Sequence, residues 1–335
     1  MRRSGALALV MGLCAVIAAG VAFLGTTAPT RTTLQMAPQG TTMVAHLDVQ
    51  AILHSSMWMA YVDDDEGMTR IERICGSSPL ESLREADVYV VGTDESPLAQ
   101  LAFLARGALD PERLGDCVSR VVHEDGGGVH EVTIEGVRAM ASDRGDSRAA
   151  FLSRDTVVGG DEMLVRELIH IDHGTSAPMD DPALARLYDI ALARHDVVIA
   201  AEVPDAWRGA IAHALEDLPG VEALSGARAV ALGASLAGGG IGLTLSVACS
   251  RESDARRLLE AIETARDAAL NDPLLRLSAA GAALRRIQLE PRGADLLATL
   301  DLSRDAFESL VTLIREQLDA AREARAATLA PPPEE

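Results

Sequence analysis

The sequence predicts an α+β protein of two related halves, each an antiparallel sheet with helices packed on one face, placed after an N-terminal apolar helix. Three observations predict it. Short segments of β-prone residues recur along the 335-residue chain, and several alternate apolar with polar. Helix starts written as an acid followed by proline interleave with them. The order strand, helix, strand pair, helix occurs twice, at an offset of about 143–144 residues.

The chain opens Met1-Arg2-Arg3-Ser4, runs uncharged and apolar from Gly5 to Gly25, and leaves through Thr26-Thr27-Ala28. That is the plan of an export signal. The run is longer than the core of a cleaved signal, and at 21 residues long enough to span a bilayer. A signal peptide and an N-terminal membrane anchor over residues 1–28 therefore both stand. Cleavage after Ala22 suits small-residue rules better than cleavage after Ala28, which Pro29 follows. Cys14 follows Met11-Gly12-Leu13, which is not a lipid-modification box. In either case the arginines stay inside and the rest is exported, to the periplasm or cell envelope. Residues 5–25 are then its one contact with the membrane. Residues 29–42 (PTRTTLQMAPQGTT) read as a tether, and 327–335, ending Pro-Pro-Pro-Glu-Glu, as a disordered tail.

The halves are expected at 43–175 and 180–326. The first holds strands at 43–49, 87–92, 100–106, 130–134, 137–141, 149–152 and 156–158. The second holds strands at 196–202, 229–236, 241–248, 284–290 and 295–302. Glycine clusters at 126–128 and 238–240 read as hairpin turns between strands. Asp110-Pro111-Glu112 opens a helix whose Leu114, Cys117, Val118 and Val121 form one apolar stripe. Asp161, Asp181-Pro182, Ser250, Asp272-Pro273 and Ser303 open others.

The formal charge is −20, or −22 without Arg2 and Arg3. That argues against nucleic acid, whose binding rests on basic contacts to phosphate, and against lying on an anionic membrane surface. All 30 basic residues are arginine. With no lysine, a Walker A loop, a kinase lysine, a Schiff base and a Ser-x-x-Lys pair are excluded.

The remaining chemical patterns are weak. His170, Asp172 and His173 form the densest set of metal ligands, but zinc wants three or four convergent ligands and no HExxH occurs. A solvated helix end, where histidine suits the dipole, is the stronger reading. Asp63-Asp64-Asp65-Glu66-Gly67 fails the calcium-loop spacing. Gly238–Gly242 leads from strand to strand, not into a helix, so it is no dinucleotide fingerprint. Ser235 in Gly-Ala-Ser-Leu-Ala is not at a nucleophile elbow. Trp58, flanked by Met57 and Met59, is a weak candidate for a partner surface.

The run Cys75-Gly76-x-x-Pro79-Leu80, then ADVYVVG, then FLARGALDPERLGDC with Arg106, Gly107, Asp110, Leu114 and Cys117, resembles a family of uncharacterised exported bacterial proteins. The lead-in APQGTTMVAHLDVQAIL is similar as well, and the likeness covers most of residues 37–200. It implies export and a duplicated α+β ectodomain, and it implies no activity. The family pattern and the chemistry of an oxidising compartment agree on a disulfide between Cys75 and Cys117. Cys14 lies in the apolar run, Cys249 lies in the second half, and a core-facing Cys117 would be a poorly activated thiol.

The expected function is that of an exported envelope protein, a non-enzymatic binding or structural module with no catalytic residue and no cofactor. Its partner would be an unknown envelope protein or an apolar ligand. A periplasmic carrier of an apolar ligand is the alternative, and a metal-dependent hydrolase built on His170, Asp172 and His173 ranks behind both.

Overall fold

The computed structural model describes residues 32–55, 66–92, 100–193, 195–204, 208, 225–236 and 239–309. The N-terminal apolar run, the C-terminal tail, Trp58, Met57 and Met59 lie outside them.

The first described residue is Thr32. Its hydroxyl accepts from the Gln35 N–H, and the Gln35 side chain accepts from the Thr32 N–H, a capping box that opens α1 (Thr33–Met36). Met36 and Ala37 are 1% and 0% exposed. Within the tether expected over 29–42, residues 33, 36–38 and 41 are thus buried. Its apolar residues Leu34, Met36 and Ala37 pack on the main hydrophobic cluster instead of trailing in water.

Then follow β1 (Thr41–Asp48), α2 (Val49–Leu53), α3 (Glu66–Cys75), β2 (Leu83–Val91), β3 (Gln100–Gly107) and α4 (Pro111–Glu124). Strands β4 (Val129–Ile134), β5 (Val137–Ser142), β6 (Ser147–Phe151) and β7 (Thr156–Asp161) precede α5 (Glu162–Asp172) and α6 (Pro182–Leu192). Next come β8 (Val197–Glu202), β9 (Ala227–Ser235), β10 (Gly240–Cys249), α7 (Glu252–Leu270), α8 (Pro273–Leu277), α9 (Ala279–Arg286), β11 (Gln288–Arg292) and β12 (Asp295–Ser303). Each of the twelve strand segments read from sequence overlaps one of these strands. The glycines at 126–128 differ: they join α4 to β4 and are not a hairpin. Leu284, Arg285 and Arg286, read as the start of a strand, finish α9.

All twelve strands form one antiparallel sheet, in the order β11-β12-β10-β9-β8-β1-β2-β3-β7-β6-β5-β4. The reading that gave each half its own sheet is corrected here. β1 pairs with β8, from Met43 opposite Ala201 to Leu47 opposite Val197, so the ladder runs unbroken.

Helices cover both faces, which corrects the expectation of one. On the first face, α1, α5 and α6 bury Val44, Tyr89, Leu104, Val158, Val198 and Ala231. On the second, α3 and α4 bury Val88, Phe103, Ala105 and Val157, and α7 packs farther along on Val247 and Leu296. The reason is legible in β2 and β3. Residues 86–91 and 102–107 are almost unbroken runs of buried positions, and such strands need cover on both sides.

Asp110 caps α4 by accepting from the Arg113 N–H, and Leu114, Cys117, Val118 and Val121 are buried as the stripe predicts. Cys117 is bridged to Cys75 at the end of α3, with the Cα atoms 4.8 Å apart. Gly76 then takes φ +79, and its N–H bonds to Glu72 O, ending α3. A 3-10 turn over Pro79–Ser82 leads into β2.

The bridge closes a separation of 42 residues. The double variant Cys75→Ser/Cys117→Ser should lose about 4 kcal/mol of unfolding free energy on the chain-entropy model. Urea denaturation of both forms measures it; a loss below about 1 kcal/mol would show that α3 and α4 hold together without the bond.

Candidate functional site

The residues singled out by sequence fall in separate places. His170 lies in the last turn of α5, where its Nδ1 bonds Thr175 Oγ1 at 3.0 Å and its Nε2 stands 4.0 Å from Glu135. Asp172 ends that helix and His173 caps it. Among the described residues, no three His, Cys, Asp or Glu side chains gather as a metal site. Cys249 is a buried free thiol, pushed up to about 11 by burial and then by Asp254 and Asp295.

The structure brings together a set that the sequence reading missed. Four charged or titratable side chains meet on the first face of β1, β2 and β3. His46 stands opposite Asp87, and Glu85 opposite Arg106. Asp87 is fully buried and Arg106 is 3% exposed. Asp87 Oδ1 accepts from Thr33 Oγ1 at 2.8 Å and from His46 Nδ1 at 2.7 Å. Its Oδ2 accepts from Arg106 Nη1 at 3.1 Å, and Glu85 Oε1 takes the same guanidinium at 3.0 Å. The Tyr89 hydroxyl donates to Thr33 O at 2.9 Å, which ties α1 down over the cluster. An ionised carboxylate only accepts, so His46 Nδ1 carries a proton.

Burial by itself disfavours the His46 imidazolium. The hydrogen bond to Asp87 and the charges of Asp87 and Glu85 outweigh it, and the imidazole is raised above its ordinary value. Chemically this is a buried ion cluster joined by hydrogen bonds. A nucleophile served by a His–Asp pair must sit on the far ring nitrogen of the histidine. Here the Thr33 hydroxyl bonds the carboxylate instead. The available sequence signal was a lone charge inside apolar strands: His46 and Asp87 in VAHLDV and ADVYVV, Arg106 after LAFLA.

A second titrating centre lies where β8 ends beside the start of α6. Burial, then a hydrogen bond to Asp181 and the charge of Asp181, push Glu202 up to about 7. Asp181 is meanwhile held as the cap of α6, accepting from Ala183 N and Leu184 N.

Two surfaces stand open on the second face. Ile199, Leu232 and Leu245 are cross-strand neighbours on β8, β9 and β10 and are 37%, 42% and 40% exposed. At the opposite end of the sheet, cavities of about 550 and 370 Å³ run along α4 and share Ser119 and Val129. The second lies between α4 and β4–β5, with Gly115 and Asp116 on one wall and Glu131, Met140 and Phe151 on the other.

Two outcomes follow from the buried cluster. Asp87→Asn leaves Arg106 and His46 without their shared anion and should cost about 3–5 kcal/mol, read by urea denaturation. Stability should also fall as pH rises. The folded value of His46 is raised, so its contribution is complete below about pH 6.5 and is lost as pH climbs through that raised value. Glu202, also raised, adds a contribution present below its unfolded value and lost on passing about 7. Denaturation midpoints measured from about pH 5 to pH 8.5 should show the decline, and His46→Gln and Glu202→Gln should each flatten it.

No family model matches the sequence, and no curated protein matches it. Among solved structures, the chain is similar to crystal form III of TP0453, with 10% sequence identity and a TM-score of 0.48, over 85% of this chain and 99% of that one. It is similar to crystal form IV of TP0453 at 9% identity and a TM-score of 0.48, over 84% of this chain and 97% of that one.

Proposed function

We propose that the chain is an exported, non-enzymatic binding or structural module of the cell envelope, directed there by residues 5–25. The observation that carries the reading is the Cys75–Cys117 bridge, buried between two core helices. Such bonds persist in oxidising compartments and are rare where thiols are kept reduced. The buried His46–Asp87–Arg106 cluster adds support, since Asp87 is engaged by Thr33, His46 and Arg106 together. Among the described residues, no helix is long and apolar enough to cross a membrane.

The strand order supports an internal duplication as the plan of the module. Outward from the β1–β8 junction, β1-β2-β3-β7-β6 and β8-β9-β10-β12-β11 run in matching order. In both, a helix follows the third strand. The likeness to uncharacterised exported bacterial proteins fits the same plan.

An apolar-ligand carrier is the second reading, favoured by the exposed row Ile199, Leu232 and Leu245. Fractionation of native cells, with non-reduced peptide mapping and N-terminal sequencing, should place the protein outside the cytoplasm with Cys75 linked to Cys117. A reduced cytoplasmic protein would overturn the proposal. Native mass spectrometry showing a co-purified lipid-soluble molecule would favour the carrier over the module.

A further inference from the structure

The two ends of the sheet are built differently. β11 closes one end. Arg292 and Asp295 flank a two-residue turn and so form a hydrogen-bonded pair. The next pair, Pro291 with Leu296, is therefore a non-bonded one, and Pro291 occupies a position whose backbone faces away from the sheet. Proline there offers no N–H to an added strand, a common protection of a sheet edge.

β4 ends the sheet on the other side and carries no proline. The Asp143 N–H bonds Gly128 O at 3.0 Å, so residues 128 and 143 form a hydrogen-bonded pair. Alternation along the register turns His130, Val132 and Ile134 toward β5. The N–H and C=O groups of Val129, Glu131 and Thr133 face outward, and among the described residues no strand pairs with them. Their side chains share the face of Met140, which stands opposite Glu131. That is the side where the 370 Å³ cavity separates β4 from α4.

The groove has a defined chemistry. Val129, Met140 and Phe151 give it an apolar floor. Gly115 leaves the helix wall bare: a Cβ there would stand 3.5 Å from Met140 Sδ. Glu112 and Asp116 are exposed on the helix side, while Glu131 is paired with Arg138 at 2.9 Å and His130 with Asp143 at 2.8 Å. The rim is thus acidic, on a chain of net charge −20.

We propose that β4 and α4 form a docking groove for an extended segment of a partner protein, one that adds to the sheet edge and places alternate basic and aliphatic side chains against α4. Main-chain pairing with Val129, Glu131 and Thr133 supplies the affinity, and the groove reads every second side chain. A second copy of this chain would bring the same acidic rim to the contact, so charge disfavours it. The inference deepens the binding-module reading and rests on it. The two fail separately: the compartment and the bridge test the module, and the edge tests this site.

The probe is acetyl-Arg-Thr-Val-Thr-Arg-amide, with the glutamate analogue acetyl-Glu-Thr-Val-Thr-Glu-amide as control. Isothermal titration against the full chain should show the arginine peptide binding at least about tenfold more tightly than the control. Thr133→Pro removes one outward N–H without touching the β4–β5 ladder, and Gly115→Leu fills the groove while favouring the helix. Each should weaken the arginine peptide about tenfold or more. Hydrogen exchange on the wild-type chain should slow at the amides of 129, 131 and 133 when the peptide is present. No binding at about 1 mM, equal binding by both variants, or unprotected amides on β4 would overturn the proposal. So would a dimer abolished by Thr133→Pro, which would make the edge a contact between copies.

Discussion

Strands β2 and β3 are covered from both sides, and their side chains from Ala86 to Val91 and from Ala102 to Arg106 are buried. Most of the architecture answers to that constraint. The first face is closed by α1, α5 and α6, the second by α3 and α4. The disulfide then joins the two helices of the second layer at the point where α3 ends. Farther along, β9 alternates between buried and open positions, and the second face opens at Leu232.

The same burial explains the ion cluster. Asp87 and Arg106 sit in strands that leave no solvent for a charge, so each must find its counter-ion and hydrogen bonds inside. The geometry of neighbouring strands makes that possible, since His46 stands opposite Asp87 and Glu85 opposite Arg106. Thr33 donates its hydroxyl to Asp87 and accepts from Tyr89 at its carbonyl, which fastens α1 to the middle of the sheet. The cluster holds α1 and three strands in one arrangement. It also makes the protein sensitive to protonation at His46.

The periphery carries what the centre cannot. The end at β11 is closed by Pro291, and the end at β4 presents backbone groups beside a cavity lined by α4. Among the described strands, those between the two ends already have partners on both sides.

The amino-acid sequence by itself determined where the strands and the helices with acid-capped starts lie. Caps such as Asp110 and Asp181, and the apolar runs of the strands, act within a few residues and are complete without the fold. The Cys75–Cys117 pairing was also expected, from a resemblance and from the chemistry an exported chain would meet, and the structure forms it. The runs ADVYVV and LAFLA carried a further message, cover on both faces, that a simple one-sided sheet did not absorb. Only the tertiary structure decided that β1 meets β8, that residues 33–37 enter the core, and that His46, Asp87 and Arg106 form one cluster. Thr33 is 54 residues from Asp87, His46 is 41 and Arg106 is 19. No local periodicity reaches across such distances; the strand register that brings these side chains together exists only once the sheet has formed.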